Sequence, residues 1–171
     1  MTSRPPFIKH WRELQEDEAW SYPGSDELHS LGSPFGHAFG LARIGIHHEL
    51  LLPGRRLSYP HAEKTEDEFV YVLEGSVDAW IDGEVFRLEP GDAVGFPAGT
   101  GICHTFINDS DRPARLLVVG DRTRPDNQLV YPLNPERKAQ IGERWWKDAP
   151  ERTLGPHDGL PAERRRAKAE P

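Results

Sequence analysis

Cysteine and methionine occur once each in the 171 residues of this chain. A lone Cys103 excludes an intrachain disulfide, so stability has to come from a packed core. A chain of this length buries roughly 70% of the surface it exposes when unfolded, enough for such a core. Long apolar runs are missing too. None approaches the ~20 residues needed to span a bilayer, so no membrane-spanning helix is expected in these residues. The opening Met1-Thr2-Ser3-Arg4-Pro5-Pro6 carries no apolar signal segment, so a cytoplasmic protein is expected. Basic side chains are in short supply, 21 against 28 acidic ones, for a formal charge of −7. An acidic surface repels phosphates and anionic lipids, so neither nucleic acid nor membrane is expected as a partner. The one basic run, Arg164-Arg165-Arg166-Ala167-Lys168, is flanked by acids, lacks interleaved aromatics and reads as a solvated tail.

What the chain does have is a series of short β-prone segments punctuated by turn chemistry. Residues 39–52 alternate as a strand, with Leu41, Arg43, Gly45 and His47 on one face and Ala42, Ile44, Ile46 and His48 on the other. Strands follow over 69–73, 77–81, 84–88, 93–96, 103–107 and 114–119. Asp82-Gly83 is a two-residue hairpin signal, and Pro90-Gly91-Asp92 and 108–113 are further turns. Residues 10–20 suit a short helical turn. Helical periodicity is otherwise scarce, so the fold class expected is all-β, a sandwich or barrel. The segments divide as an N-terminal extension over 1–37, a barrel over 38–132 and a C-terminal extension over 133–171. Trp145-Trp146 is expected to dock that extension on the barrel. Gly, Pro and charge make the order of 155–171 doubtful.

Two motifs carry the chemistry. In the first, Gly54 precedes His61, Glu63, Glu68 and Gly75, with four residues between positions 63 and 68 and six between 68 and 75. In the second, Gly91 is followed after five residues by Pro97-Ala98-Gly99, then His104 and Asn108. Together, over roughly residues 40–120, they resemble the cupin superfamily. Two departures stand out: Glu63 occupies the place of the second motif histidine, and the loop from Gly99 to His104 is two residues longer than the usual pattern.

The resemblance implies a double-stranded β-helix, a jelly-roll barrel whose motif side chains converge on one metal. The residues agree with it. Alternation lets His61 and Glu63 both point inward, His104 can join from a neighbouring strand, and Glu68 opens the strand after the loop. The expected metal ligands are His61, Glu63, Glu68 and His104. Two imidazoles and two carboxylates suit one divalent transition metal, Zn, Mn, Fe or Ni, better than calcium. Replacing a histidine by Glu63 makes the site more nearly neutral and a weaker Lewis acid. Three arrangements stay open. All four groups bind; or two histidines and one glutamate bind while the other glutamate, Glu63 or Glu68, acts as general acid or base; or metal binding is lost. A charged run, 63–68, also fits a solvated loop.

Other candidates are weaker. His47 and His48 are neighbours on a strand and face opposite ways, against joint ligation. Cys103 reads as a small core residue, and Asn108 as a turn stabiliser. Pro97, Gly99 and Gly101 shape their loop. Tyr59, Tyr71 and Trp80 are candidates to line the barrel, Tyr71 and Trp80 not in one pocket. Arg43 and Arg56 fit a surface role better than contact with an anionic substrate at the mouth. The functional expectation is a metal-dependent enzyme acting on a small polar metabolite (a sugar, sugar acid or oxo acid) by isomerase, lyase, decarboxylase or dioxygenase chemistry. The alternatives are a small-ligand binding or sensing barrel and, last, a structural or storage barrel. Resemblance implies a homodimer, which would also hide strand edges.

Overall fold

In the computed structural model, which describes residues 4–122 and 124–169, eleven strands form the framework. In order they are β1 (Leu31–Ser33), β2 (Ile44–Leu51), β3 (Arg55–Arg56), β4 (Ala62–Glu63), β5 (Glu68–Glu74), β6 (Val77–Ile81), β7 (Glu84–Leu88), β8 (Ala93–Phe96), β9 (His104–Asn108), β10 (Ala114–Asp121) and β11 (Leu129–Val130). Three short helices accompany them: α1 (Phe35–Ala38), α2 (Arg137–Ile141) and α3 (Ala162–Ala169). Strands β1-β2-β10-β5-β8 form one antiparallel sheet and β3-β9-β6-β7 a second, while β4 pairs with β11. The two larger sheets face each other across a shared core as a jelly-roll barrel. The short helical turn expected within 10–20 is a single 3–10 turn over Trp11–Glu13.

The strand segments are where alternation puts them. Asp82 and Gly83, at φ 47° and 88°, make the tight β6–β7 hairpin, a backbone that glycine adopts without strain. A Cβ at Gly83 would also lie 2.3 Å from the amide nitrogen of Gly155, because the C-terminal segment passes there.

Inward-facing residues build the main core: Leu51 from β2, Val70 and Val72 from β5, Val77 and Ala79 from β6, Phe96, Phe106, Ala114 and Leu116. Each large apolar side chain buried there contributes about 1.5–3 kcal/mol. A second cluster lies outside the four-stranded sheet. There Ala62, Trp80, Cys103 and Ile107 are covered by Trp146 of the C-terminal segment. Trp80 is therefore fully buried under that segment and does not line the barrel; its Nε1 donates to the carbonyl of His157. Tyr71 lies on the outer face of β5, while Tyr59 packs with Tyr22, Leu129 and Tyr131.

Two expectations are corrected here. Residues 155–169 are held against the barrel despite their composition. The amides of Gly155 and His157 donate to the carbonyls of Asp82 and Gly83, and Ala162 N donates to Asp109 Oδ1. These partners lie far off in sequence, so composition does not reveal them; residues 170–171 lie outside the described residues. Arg56 is neither at the surface nor at a mouth. It is buried, bidentate to Glu27 at 2.7 and 2.8 Å, donates to Gly159 O and lies over the Tyr59 ring. A guanidinium this deep requires such a carboxylate partner. Arg43 is exposed.

Candidate functional site

The inward rows of the strands change character along the barrel. On β2 the row runs His47, Glu49, Leu51; on β5 it runs Glu68, Val70, Val72; on β9 it runs His104, Phe106, Asn108. At the polar end these rows open into a cavity of about 240 Å³. Its walls include His47, Glu49, Ser58, His61, Glu68 and His104, with Leu57, Phe106 and Val118 as apolar surfaces.

His61 and His104 meet because they are direct cross-strand partners. The amide of each donates to the carbonyl of the other, at 3.2 and 2.9 Å, and directly opposed residues share a face. Their rings lie 5.1 Å apart. Glu68 arrives from the opposite sheet, so the group ties the two sheets together. One ligand atom from each of His61, Glu68 and His104 lies within 4.8 Å of the others.

Backbone carbonyls fix both imidazoles. His61 Nδ1 lies 2.9 Å from Tyr59 O, and His104 Nδ1 lies 3.2 Å from Ile102 O. With the proton on Nδ1, Nε2 of each ring is available to a ligand; the hydrogen bond from His104 to Glu68 instead takes the tautomer protonated on Nε2. Phe96 stacks on His104 at 3.6 Å between centroids and holds its plane. His104 Nε2 lies 3.1 Å from Glu68 Oε1. Burial would raise the Glu68 pKa, but the His104 hydrogen bond and the neighbouring imidazoles outweigh it and hold the carboxyl below its usual value. Burial, with His104 adding to it, pushes His61 down to about 4 and keeps it neutral near pH 7. An imidazole kept neutral at His61, a second imidazole at His104 and one carboxylate make a donor set that fits a divalent transition ion.

Glu63 stands apart from this group of three. It pairs with Leu129 in the β4–β11 ladder, and its Oε1 accepts from the buried Asn127 Nδ2 at 3.4 Å. Burial, then the charges of Glu68 and Glu66, push its pKa up to about 8. The rest of the 63–68 run is tied down and not a solvated loop. Thr65 N donates to Asn127 Oδ1, Arg124 N to Glu66 Oε1, and Ala98 N to Asp67 Oδ1.

Asn108 is fully buried and closes the turn after β9, donating from Nδ2 to Leu51 O and Arg112 O, each at 2.8 Å. His48 faces outward and stacks on Trp11, while His47 faces the cavity. Glu49 is the cavity residue that motif reading passes over. The pattern His47-x-Glu49-x-Leu51 on one strand face, with Leu51 in the core, is the signal that locates it.

Comparison with known proteins agrees with this geometry. Residues 47–120 match the family model of the Cupin domain. A curated relative, polyketide synthase CurC of Streptomyces cyaneus, is 35% identical over 68 residues, 40% of this chain. The match spans only 42% of that relative's length. The crystal structure of a sugar phosphate isomerase from a cupin superfamily of Silicibacter pomeroyi is 35% identical, with a TM-score of 0.65 over 72% of this chain and 81% of its own. The polyketide cyclase RemF of Streptomyces resistomycificus shares the fold, with a TM-score of 0.60 at 22% identity over 85% of this chain and 96% of its own. The domain match falls on the strands that carry the barrel, and the Silicibacter structure follows them over most of its length; the chain belongs to the cupin superfamily, with a cupin-2-like domain.

Proposed function

We propose that the protein is a metal-dependent enzyme that acts on a small polar metabolite, with isomerase, lyase or dioxygenase chemistry. One observation carries this reading. His61, Glu68 and His104 present their ligand atoms within 4.8 Å at the wall of a cavity, with both imidazoles fixed by backbone carbonyls. These three residues would hold one divalent ion, Zn, Mn, Fe or Ni. Such an ion supplies Lewis-acid polarisation of a substrate oxygen when bound. The chain's own part is to fix the ligand set, shape the cavity and keep a proton in reach. Glu63, apart from the three but near enough for the Glu68 charge to act on it, and held by Asn127, is the carboxyl assigned to that last role. The likeness to a sugar phosphate isomerase and to polyketide-processing proteins supports small oxygen-rich substrates as a class.

The proposal includes a homodimer. Phe69 and Leu73, 42% and 43% exposed on the outer face of the five-stranded sheet, together with Ile44 are apolar surface of the kind a second subunit covers. Light scattering at a monomer mass would remove that part.

Elemental analysis of protein purified without chelators or a His-tag tests the metal. About one equivalent per chain is expected in the wild type, lost in His104→Ala and retained in Glu63→Gln. A wild type that holds no metal after reconstitution overturns the reading and leaves a ligand-binding barrel.

A further inference from the structure

Glu49 is a second carboxyl inside the cavity, on a different strand from every motif residue. It faces inward from β2 and is 9% exposed. Ser30 Oγ donates to its Oε2 at 2.7 Å, which fixes the carboxyl plane. Its Oε1 lies 3.7 Å from His47 Nδ1, beyond hydrogen-bond reach, and no Lys or Arg among the described residues pairs with it. Gly32, its partner in the β1–β2 register, makes room for it. A Cβ on Gly32 would lie 3.5 Å from Glu49 Oε1 and 3.2 Å from Glu16 Oε2. The buried Glu49 and the exposed Glu16 therefore converge on one spot, one on the cavity side and one on the solvent side.

A carboxyl that is buried, oriented by one hydroxyl and adjoined by a second acid is poorly explained as a stabilising feature. An ionised group there meets desolvation and like charge. The groups facing it are Ser30 before β1, Glu16 from the N-terminal segment, His47 on its own strand and Glu68 from β5. Burial, with Glu16 and Glu68 adding to it against the Ser30 hydrogen bond, pushes Glu49 up to about 7. That range suits an acid–base group working near neutral pH. Around it the cavity offers carboxyls, imidazoles, the Ser58 hydroxyl and apolar walls. These suit an uncharged hydroxycarbonyl compound better than a phosphorylated one, which two carboxylates would repel.

We propose that Glu49 is a proton-transfer residue of this cavity, acting on the carbon beside the carbonyl of an uncharged hydroxycarbonyl substrate. This rests on the enzymatic reading above. The Glu49 carboxylate takes the proton of the C–H bond, and the bond's electron pair stays with the substrate as an enolate. The proton then returns to the same carbon or its neighbour, and Glu49 is regenerated. Ser30 is a positioning residue that sets the carboxyl's orientation and acidity. Glu16 lies where the proton can exchange with solvent.

The test uses the full-length, metal-reconstituted protein with dihydroxyacetone in D2O, read by proton NMR as loss of the α-proton signal. Metal content is measured on the same samples. Wild type is expected to exchange the α-protons, and Glu49→Gln to slow exchange by about 10²-fold or more with its metal content unchanged. Ser30→Ala keeps the carboxyl but removes a hydrogen bond to its ionised form. It is expected to move the rising limb of the pH–rate profile to higher pH, which a merely structural role would not do. Exchange by Glu49→Gln at the wild-type rate overturns the proposal while leaving the metal reading intact. Absence of exchange in metal-loaded wild type, or faster exchange of dihydroxyacetone phosphate, overturns it as well. Loss of metal from wild type itself fails the enzymatic reading instead. Independently, carbon-13 NMR of labelled glutamate, assigned by the spectrum of the carboxyl-retaining Glu49→Asp variant, should show the carboxyl titrating near 7. A midpoint in the ordinary range of about 4 overturns the proposal even if Glu49→Gln does not fold.

Discussion

The two ends of the barrel interior are built from the same strands and do opposite work. Toward one end β2 and β5 contribute Leu51 and Val72, and β9 contributes Phe106, whose ring joins this core and also walls the cavity; all three are fully buried in one cluster. Toward the other they contribute Glu49, Glu68 and His104, which line a cavity. Moving two residues along a strand keeps the face and changes only the depth. The apolar end supplies the burial that makes the sheets close. The polar end sets like charges and desolvated imidazoles near one another, which destabilises the fold locally and leaves groups that can bind and transfer protons. The difference teaches that the site depends on the closed end to remain assembled.

Substitutions at the two ends should separate these roles. The largest stability effect is expected from Leu51→Ala, which empties a fully buried core position away from the cavity. It should cost about 2–5 kcal/mol, measured by denaturant unfolding. A similar loss from His104→Ala in chelated protein would break the distinction, since that residue is assigned to the site and not to the core. Asn108→Ala should come next, at about 1–3 kcal/mol. It leaves the carbonyls of Leu51 and Arg112 without their donor, yet metal content should not change.

An effect of similar size, but pH-dependent, belongs to the polar end. Glu49 is raised to about 7 in the fold, above its unfolded value of 4.5. Below 4.5 both states hold the proton. Between 4.5 and 7 the folded state binds more protons than the unfolded one, so the Glu49 contribution to stability falls as pH rises. Glu49→Gln should remove that loss. In chelated protein its stability relative to wild type should rise by on the order of 1–3 kcal/mol from pH 4.5 to 7.5. A constant difference across that range would place Glu49 in ordinary solvent-like surroundings.

Much of the barrel was legible because local signals and tertiary structure agree. Val70 and Val72 alternate with exposed Phe69 and Leu73, and Asp82-Gly83 dictates its own hairpin. His61, Glu68 and His104 were legible as motif positions, and strand pairing brings them together. The partners of individual polar groups were not legible. Parity aims Glu63 inward, but the side chain of Asn127, 64 residues away, takes its carboxylate. Arg56 reads as a surface cation until Glu27 and Gly159 enclose it. Trp80 reads as a barrel-lining ring until the C-terminal segment covers it. Each outcome depends on a contact between distant segments, which periodicity does not encode. Glu49 was passed over for another reason: it lies outside both motifs, and only the inward parity shared with Leu51 points to it.

The central claim is that a metal sits on His61, Glu68 and His104 and not on Glu63. Anomalous diffraction from crystals of protein purified without chelators tests it most directly. The account predicts one metal peak about 2.0–2.2 Å from Nε2 of His61, Nε2 of His104 and a carboxylate oxygen of Glu68, with Glu63 still on Asn127. A metal ligated by Glu63, or no peak at this group in crystals grown with the ion, would contradict it.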